Sequence, residues 1–173
     1  MARRLTARAT GDAGFSLIEV LVVVLILGIL TAIAIPSFLN QTAKADDASA
    51  KELARTATTT AIAYGTDHAG SYAALAPTVL ANYETTIQTS TGATNAYVVN
   101  AWGTTDSSGN PEFYVQVATT GAPRHYFQLA DDNGVMSRAC GTTAPASTSQ
   151  PGSALVAAPA GSGTVGGCVN GTW

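Results

Sequence analysis

The chain has 173 residues, of which 46 % are apolar, a size and composition that suit one ordinary domain with a buried core. Beyond residue 14, five basic side chains stand against ten acidic ones, which argues against a surface built to bind polyanions. No nucleophile elbow, zinc-binding helix or phosphate loop occurs in a suitable context, so the sequence predicts neither an enzyme nor a cofactor.

A short basic segment opens the chain. Residues 1–14 contain Arg3, Arg4 and Arg8 against a single acid, Asp12. Positively charged flanks stay on the cytoplasmic side of a membrane, so the chain after residue 39 is expected to face outward.

One long apolar run follows the basic segment. Residues 20–35 carry no charge, and Thr31 is their only polar side chain. The segment 15–39 would be about 37 Å long as a helix, enough to cross a hydrocarbon core of about 30 Å. We predict a membrane-spanning helix. The carboxylate of Glu19 lies close to its start, and a charged side chain in such a helix usually has a partner or a function.

Three kinds of segment share this composition. A cleaved secretory signal fits badly, because its apolar region is about 7 to 15 residues long and the small residues Ala32 and Ala34 lie inside this longer run. A plain single-pass anchor fits the composition and leaves Glu19 as an edge residue that reaches the headgroups. A processed precursor is the third kind, and it gives Glu19 a role.

The sequence AGFSLIE at residues 13–19 closely resembles the processing site of type IV pilins and their pseudopilin relatives. In that family a membrane-embedded prepilin peptidase cuts after the glycine and methylates the new terminal amine. The resemblance implies a leader of residues 1–14, cleavage after Gly14 and N-methylation of Phe15. Glu19 then becomes the fifth residue of the mature chain, the family's characteristic acid.

Cleavage would also give Glu19 a partner. It creates an ammonium group on Phe15, and methylation preserves that charge. When subunits pack helix against helix, this ammonium can meet the Glu19 carboxylate of a neighbour where an unpaired charge would be costly. The resemblance further implies unwinding between Gly28 and Pro36 inside a filament, whereas for the isolated subunit we predict a helix without melting.

The helical pattern continues to about residue 65, where Gly65 is the expected stop. Charged residues at 44, 46, 47, 51, 52 and 55 are placed mainly away from the apolar face. We predict one helix over residues 15–65, with a membrane and assembly segment at 15–39 and an amphipathic second half. Its apolar face is formed by Ala50, Leu53, Ala54, Ala57, Ala61 and Tyr64.

A globular head is predicted over residues 66–173. After a short helical or looped stretch, alternation indicates strands in ATNAYVVNAW, PEFYVQVATT and RHYFQLADD, with VMSRAC as a candidate fourth. Turn residues separate these strands. The expected fold is α+β, with a sheet of three or four antiparallel strands packed on the amphipathic half of the helix.

The final region is predicted to be a closed loop. Residues 141–167 are rich in Gly, Ala, Ser, Thr and Pro, and Cys140 and Cys168 bracket them. An oxidising compartment would permit a disulfide between the two. The family often closes its C-terminal loop in this way, so the resemblance strengthens the expectation of this bond.

Other motifs are interpreted as having no chemical role. GSGTVG at residues 161–166 matches G-x-G-x-x-G but lies in a small-residue loop and not between a strand and a helix. His68 and His125 are too far apart for a metal site, and each is expected to be a surface or strand residue. Asp131 and Asp132 suit a hairpin turn better than a calcium loop.

The sequence therefore predicts a structural protein, with the major subunit of a type IV pilus as the first choice. Its partners would be further copies in a helical homopolymer, the prepilin peptidase and methyltransferase, the pilus assembly platform and membrane lipid. It would begin as a single-pass precursor in the cytoplasmic membrane and end in an extracellular fimbrium. The alternatives are a type II secretion pseudopilin, a competence pilus subunit and a non-polymerising membrane-anchored binding protein. Local DNA contact by Arg124, His125 and Arg138 is left open, against the net negative charge.

Overall fold

The structure is a computed structural model that describes residues 14–92, 95–105, 108–142, 168 and 172–173. Its fold is α+β, as predicted. The chain divides after Leu39 into two compact units, which are described separately. The elements are α1 (Leu17–Asp67), α2 (Pro77–Tyr83), β1 (Ala96–Thr105), β2 (Pro111–Thr119), β3 (Tyr126–Asp132) and β4 (Val135–Gly141).

The described part of the first unit is residues 14–39, and its helical part is the beginning of α1. The helix runs through Gly28 and Pro36 without interruption, as expected for an isolated subunit. Within the described residues, α1 is the one helix long and apolar enough to cross a membrane, and no part of its most apolar window is buried.

The second unit, residues 40–173, is built on the remainder of α1 and is called the head from here on. Its predicted apolar face is confirmed: Ala50, Ala54, Ala57 and Ala61 are fully buried, and Tyr64 is nearly so. These helix residues belong to the same core cluster as residues of the sheet, and Leu53 is partly buried against it. The core is completed by residues of α2 and of the sheet, including Leu80, Val98, Phe113, Val115, Val117, Phe127 and Leu129.

The expected helix stop at Gly65 is wrong by two residues. The helix ends at Asp67, and the chain reverses at Ala69 and Gly70, whose φ angles are 54° and 85°. Gly70 N–H donates to the Gly65 carbonyl at 2.7 Å, which closes the last turn. Gly65 has a packing role instead, because a Cβ there would lie 2.8 Å from the hydroxyl oxygen of Tyr72.

The sheet is an antiparallel meander in the order β1-β2-β3-β4, so the candidate fourth strand is present. Asn133 and Gly134 connect β3 to β4 with φ angles of 52° and 80°, as in a two-residue hairpin turn. Asp131 Oδ1 accepts the Gly134 N–H at 2.8 Å. The structure thus agrees with the turn interpretation of this acidic stretch.

The predictions for Asp47 and His125 are wrong. Asp47 belongs to the buried side of α1, and His125 is neither exposed nor in a strand, since it lies just before β3. His125 Nδ1 is 2.6 Å from Asp47 Oδ1, and the side chains are 4 % and 3 % exposed. The two polar groups are buried because each satisfies the other.

Cys140 and Cys168 form the expected disulfide. Residues 143–167, which include the G-x-G-x-x-G match at 161–166, lie outside the described residues, as do residues 1–13.

Candidate processing and assembly site

The predicted cleavage junction lies directly before α1. Gly14, Phe15 and Ser16 are non-helical and exposed, and a Cβ at Gly14 would meet no atom within 4 Å. The Ser16 carbonyl accepts N–H groups from Glu19 at 3.0 Å and Val20 at 3.3 Å, which starts the helix. The peptide bond after Gly14 is therefore open to an enzyme that reads an exposed segment.

Glu19 is exposed in the first turn of α1. Unsatisfied N–H groups give a helix N-terminus a partial positive charge, which stabilises a nearby carboxylate by about 0.3–1 kcal/mol. Residues 14–39 contain no basic side chain. A full cationic partner for Glu19 would thus have to come from outside residues 14–39, unless cleavage after Gly14 creates a terminal amine on Phe15.

The rest of the first unit is an apolar surface. Its large apolar side chains, from Phe15 to Leu39, are 46–80 % exposed. Burying one such side chain completely contributes about 1.5–3 kcal/mol, so the whole set strongly favours transfer out of water. Lipid satisfies this requirement for a single chain, and neighbouring helices satisfy it in an assembly.

Gly28 and Pro36 weaken the helix without an evident reason inside the described first unit. A Cβ at Gly28 would meet nothing within 4 Å, although glycine costs a helix about 0.5–1 kcal/mol. Pro36 has no N–H to donate, which costs a helix interior about 3 kcal/mol. Thr31 Oγ1 donates to the carbonyls of Leu27 and Gly28, at 2.8 and 3.0 Å, and so satisfies its hydroxyl within the apolar segment.

The head shows no comparable chemical site in the part that is described. No group of three or more His, Cys, Asp or Glu side chains that could hold a metal occurs there. A surface groove beside α1 and β1 is lined by neutral polar side chains, Leu53, Ala96 and the single carboxylate of Glu52. That set offers neither a nucleophile with its base nor a cluster of ligands.

Sequence reasoning missed the Asp47–His125 pair, although one signal was present. Asp47 precedes Ala50 by three residues and Ala54 by seven, which places it on the buried face. His125 is held by its backbone as well: its N–H donates to Thr119 Oγ1 and its carbonyl accepts the Thr119 N–H, both at 2.9 Å. This burial removes His125 from the residues considered for DNA contact.

Comparison with known proteins gives one match. A family model described as the prokaryotic N-terminal methylation motif matches residues 10–35. Neither the curated proteins nor the solved structures gave a match. The matched span contains the junction, Glu19 and the apolar run described above. The chain therefore carries the prokaryotic N-terminal methylation motif, which is the class III signal peptide of type IV pilin-like proteins.

Proposed function

We propose that this chain is a structural subunit of a type IV pilus, with the major pilin as the first choice. Prepilin peptidase cuts after Gly14, and the methyltransferase modifies the amine of Phe15. The mature chain waits in the cytoplasmic membrane with its head outside. It then joins an extracellular filament through the apolar half of α1.

The observation that carries this proposal is a difference between the two units. The head has its own core, which begins at the level of Asp47 and Ala50, whereas the large apolar side chains of the described residues 14–39 are all exposed. The apolar half of α1 is therefore free to pack against other helices. Cleavage after Gly14 would put the new amine on Phe15, four residues before Glu19, which supports pairing between that amine and the Glu19 carboxylate of a neighbour.

Gly28 and Pro36 support the same proposal. Each weakens the helix, and the described part of the isolated first unit gives neither a compensating contact. In a filament, the segment between them would unwind to fit the packing of neighbouring subunits. A plain anchor gives the two residues no specific role, although glycine and proline are common in membrane helices.

Glu19→Ala tests the assembly role. We expect at least a tenfold loss of sheared filament with normal amounts of membrane-bound subunit, because the buried amine of the next subunit loses its charge partner, a cost of about 3–5 kcal/mol. Glu84→Ala is the matched control, since it removes one half-buried carboxylate from the head, outside the apolar half of α1. Filament yield from Glu19→Ala equal to that of Glu84→Ala would contradict the proposal and favour a non-polymerising anchor.

Mass analysis of the purified subunit tests the processing step on its own. We expect a chain that starts at Phe15 and carries one extra methyl group. Gly14→Arg should leave the precursor intact, because a long charged side chain then occupies the position before the cut. An unmodified Met1 terminus in the wild-type protein would contradict processing. A secretion pseudopilin or competence pilus subunit would pass this test and is separated from a major pilin by the abundance and length of its filaments.

A further inference from the structure

Three of the five basic side chains beyond residue 14 meet at one aromatic ring. Lys51 Nζ, Arg55 Cζ and Arg138 Cζ lie 5.7, 5.4 and 5.3 Å from the ring centroid of Trp173. The indole N–H donates to the Ala139 carbonyl at 3.2 Å, which fixes the ring beside β4. These residues, Lys51, Arg55, Arg138 and Trp173, are called the basic cluster below.

The cations of the basic cluster lie near one another. Because each lies within 5.7 Å of the same centroid, no two can be farther apart than twice that distance. The ion pair of Arg55 with Glu52, at 3.4 Å, is exposed and contributes little. An anion that binds here would therefore be attracted by several cations at once, most strongly by those within the screening length of about 8 Å at physiological salt.

The chemistry of the cluster favours carboxylates of a protein over a nucleic acid. Single-stranded nucleic acids bind by stacking bases on aromatic faces, and three cations already surround the Trp173 ring. Beyond residue 14 the chain has ten acidic and five basic side chains, so a long polyanion would be repelled outside the cluster. A second copy of the chain brings carboxylates at fixed positions and does not meet this objection.

A matching acidic pair lies on the opposite face of the same sheet. Glu112 on β2 is directly opposite Asp132 on β3, so two carboxylates lie side by side on this face. Their side chains point away from the core, because the alternate residue Phe113 is fully buried in it. Arg138 pairs with the core residue Leu129 and so belongs to the helix-facing side.

We propose that the basic cluster of one subunit docks on the Glu112 and Asp132 carboxylates of the next copy, an inference that rests on the proposed filament. The two surfaces differ and lie on opposite faces of the sheet, so the contact is heterologous. After each subunit is added, the growing chain still has one unoccupied basic cluster at one end and one unoccupied acidic pair at the other. Heterologous contacts that do not close into a ring generate open helical chains, which is the geometry a filament requires.

Charge reversal in the full-length chain tests this contact, with the fraction of subunit recovered in sheared filaments as the readout. We expect Arg138→Glu and Asp132→Arg each to lower that fraction about fivefold or more, because each opposes like charges across the interface. The double variant keeps the original net charge and restores opposite charges. It should recover to within about twofold of wild type.

Arg124→Glu is the matched control. Its Cζ lies 5.9 Å from the Tyr97 ring, so the variant removes an arginine–aromatic contact and changes the charge equally, but outside the basic cluster. We expect wild-type yield from it. Equal loss in Arg124→Glu and Arg138→Glu would show that net charge alone matters, and would overturn the proposal.

Other outcomes also decide the question. Wild-type yield from Arg138→Glu, or a double variant no better than the single ones, overturns the proposal, since a misfolded head would not be rescued by a second charge reversal. If Arg138→Glu filaments form normally but retain less labelled DNA, the cluster binds a polyanion and the proposal is wrong. A wild-type chain that forms no filament at all refutes the proposed function itself. If the wild type forms filaments that Glu19→Ala loses, the proposed function stands and only the head contact is in question.

Discussion

Removing Asp47 should destabilise the head more than any other single carboxylate deletion on α1. Asp47 Oδ1 lies 2.6 Å from His125 Nδ1, and both side chains are almost completely buried. Asp47→Ala leaves the Nδ1 of His125 facing the space of the lost carboxylate. His125 Nε2 has no hydrogen-bond partner either, so the ring would lose its main polar contact within the described head.

The size of the effect follows from that burial. A buried polar group that loses its partner costs about 1–3 kcal/mol, and a buried charge costs about 3–5 kcal/mol. Both ranges meet at about 3 kcal/mol, which is our expected loss in the free energy of unfolding. For a unit of this size, such a loss lowers Tm by about 10 °C.

Urea unfolding of the detergent-solubilised full chain, followed by tryptophan fluorescence, measures this loss. Asp46→Ala, the neighbouring carboxylate that is only partly buried, should change stability by about 0.5 kcal/mol or less. A double-mutant cycle of Asp47→Ala with His125→Ala should give a coupling of about 1–3 kcal/mol. Equal stability of the Asp47→Ala and Asp46→Ala variants, or zero coupling in the cycle, would refute the reasoning.

Three further changes have expected outcomes. Gly103→Ala should destabilise the head by about 2 kcal/mol in urea unfolding, because its Cβ would lie 2.8 Å from the backbone oxygen of Tyr72. Burial raises the pKa of the Tyr114 hydroxyl above 10.0. The neutral hydroxyl therefore contributes fully to the free energy of unfolding below that pH, and the contribution is lost as pH rises through the folded pKa. Tyr114→Phe should reduce this alkaline loss of stability. Replacing both Cys140 and Cys168 by alanine should cost roughly 3 to 4 kcal/mol, since the bond spans 28 residues.

Each of these outcomes has its own control. Gly92→Ala adds a methyl group where no atom lies within 4 Å, so a loss equal to that of Gly103→Ala would contradict the packing argument. For Tyr114, an alkaline loss of equal size in wild type and in Tyr114→Phe would contradict the pKa argument. For the disulfide, unfolding midpoints that do not differ between oxidised and reduced wild type would contradict the expected loss.

Most of the fold could be predicted from local patterns in the sequence. Alanine and tyrosine recur at helical spacing from Ala50 to Tyr64, and turn residues such as Asn133-Gly134 mark the hairpins, so both the helix and the meander could be predicted. The errors come from contacts between distant residues. Gly65 is a packing glycine because Tyr72 folds back onto it, which no local stop signal reveals.

The same distinction applies to the sites. Gly14, Phe15 and Glu19 could be predicted because a processing enzyme reads a linear segment, and that segment is printed in order in the sequence. The partner of Asp47 lies 78 residues away, so only the fold brings His125 to it. The basic cluster is assembled by tertiary structure in the same way.

The placement of these features implies that folding and assembly can be varied separately. Every buried core residue named above lies after position 46, whereas Glu19, Gly28 and Pro36 lie in a segment with no buried side chain. Substitutions in the first segment should therefore change filament yield without changing the unfolding midpoint of the head. The basic cluster lies between these two cases, because Lys51 and Arg55 belong to the core helix and place their charges beside the Trp173 ring. A change there that lowers assembly while leaving unfolding unaltered would mean that the head contributes contacts to the filament as well as the apolar helix.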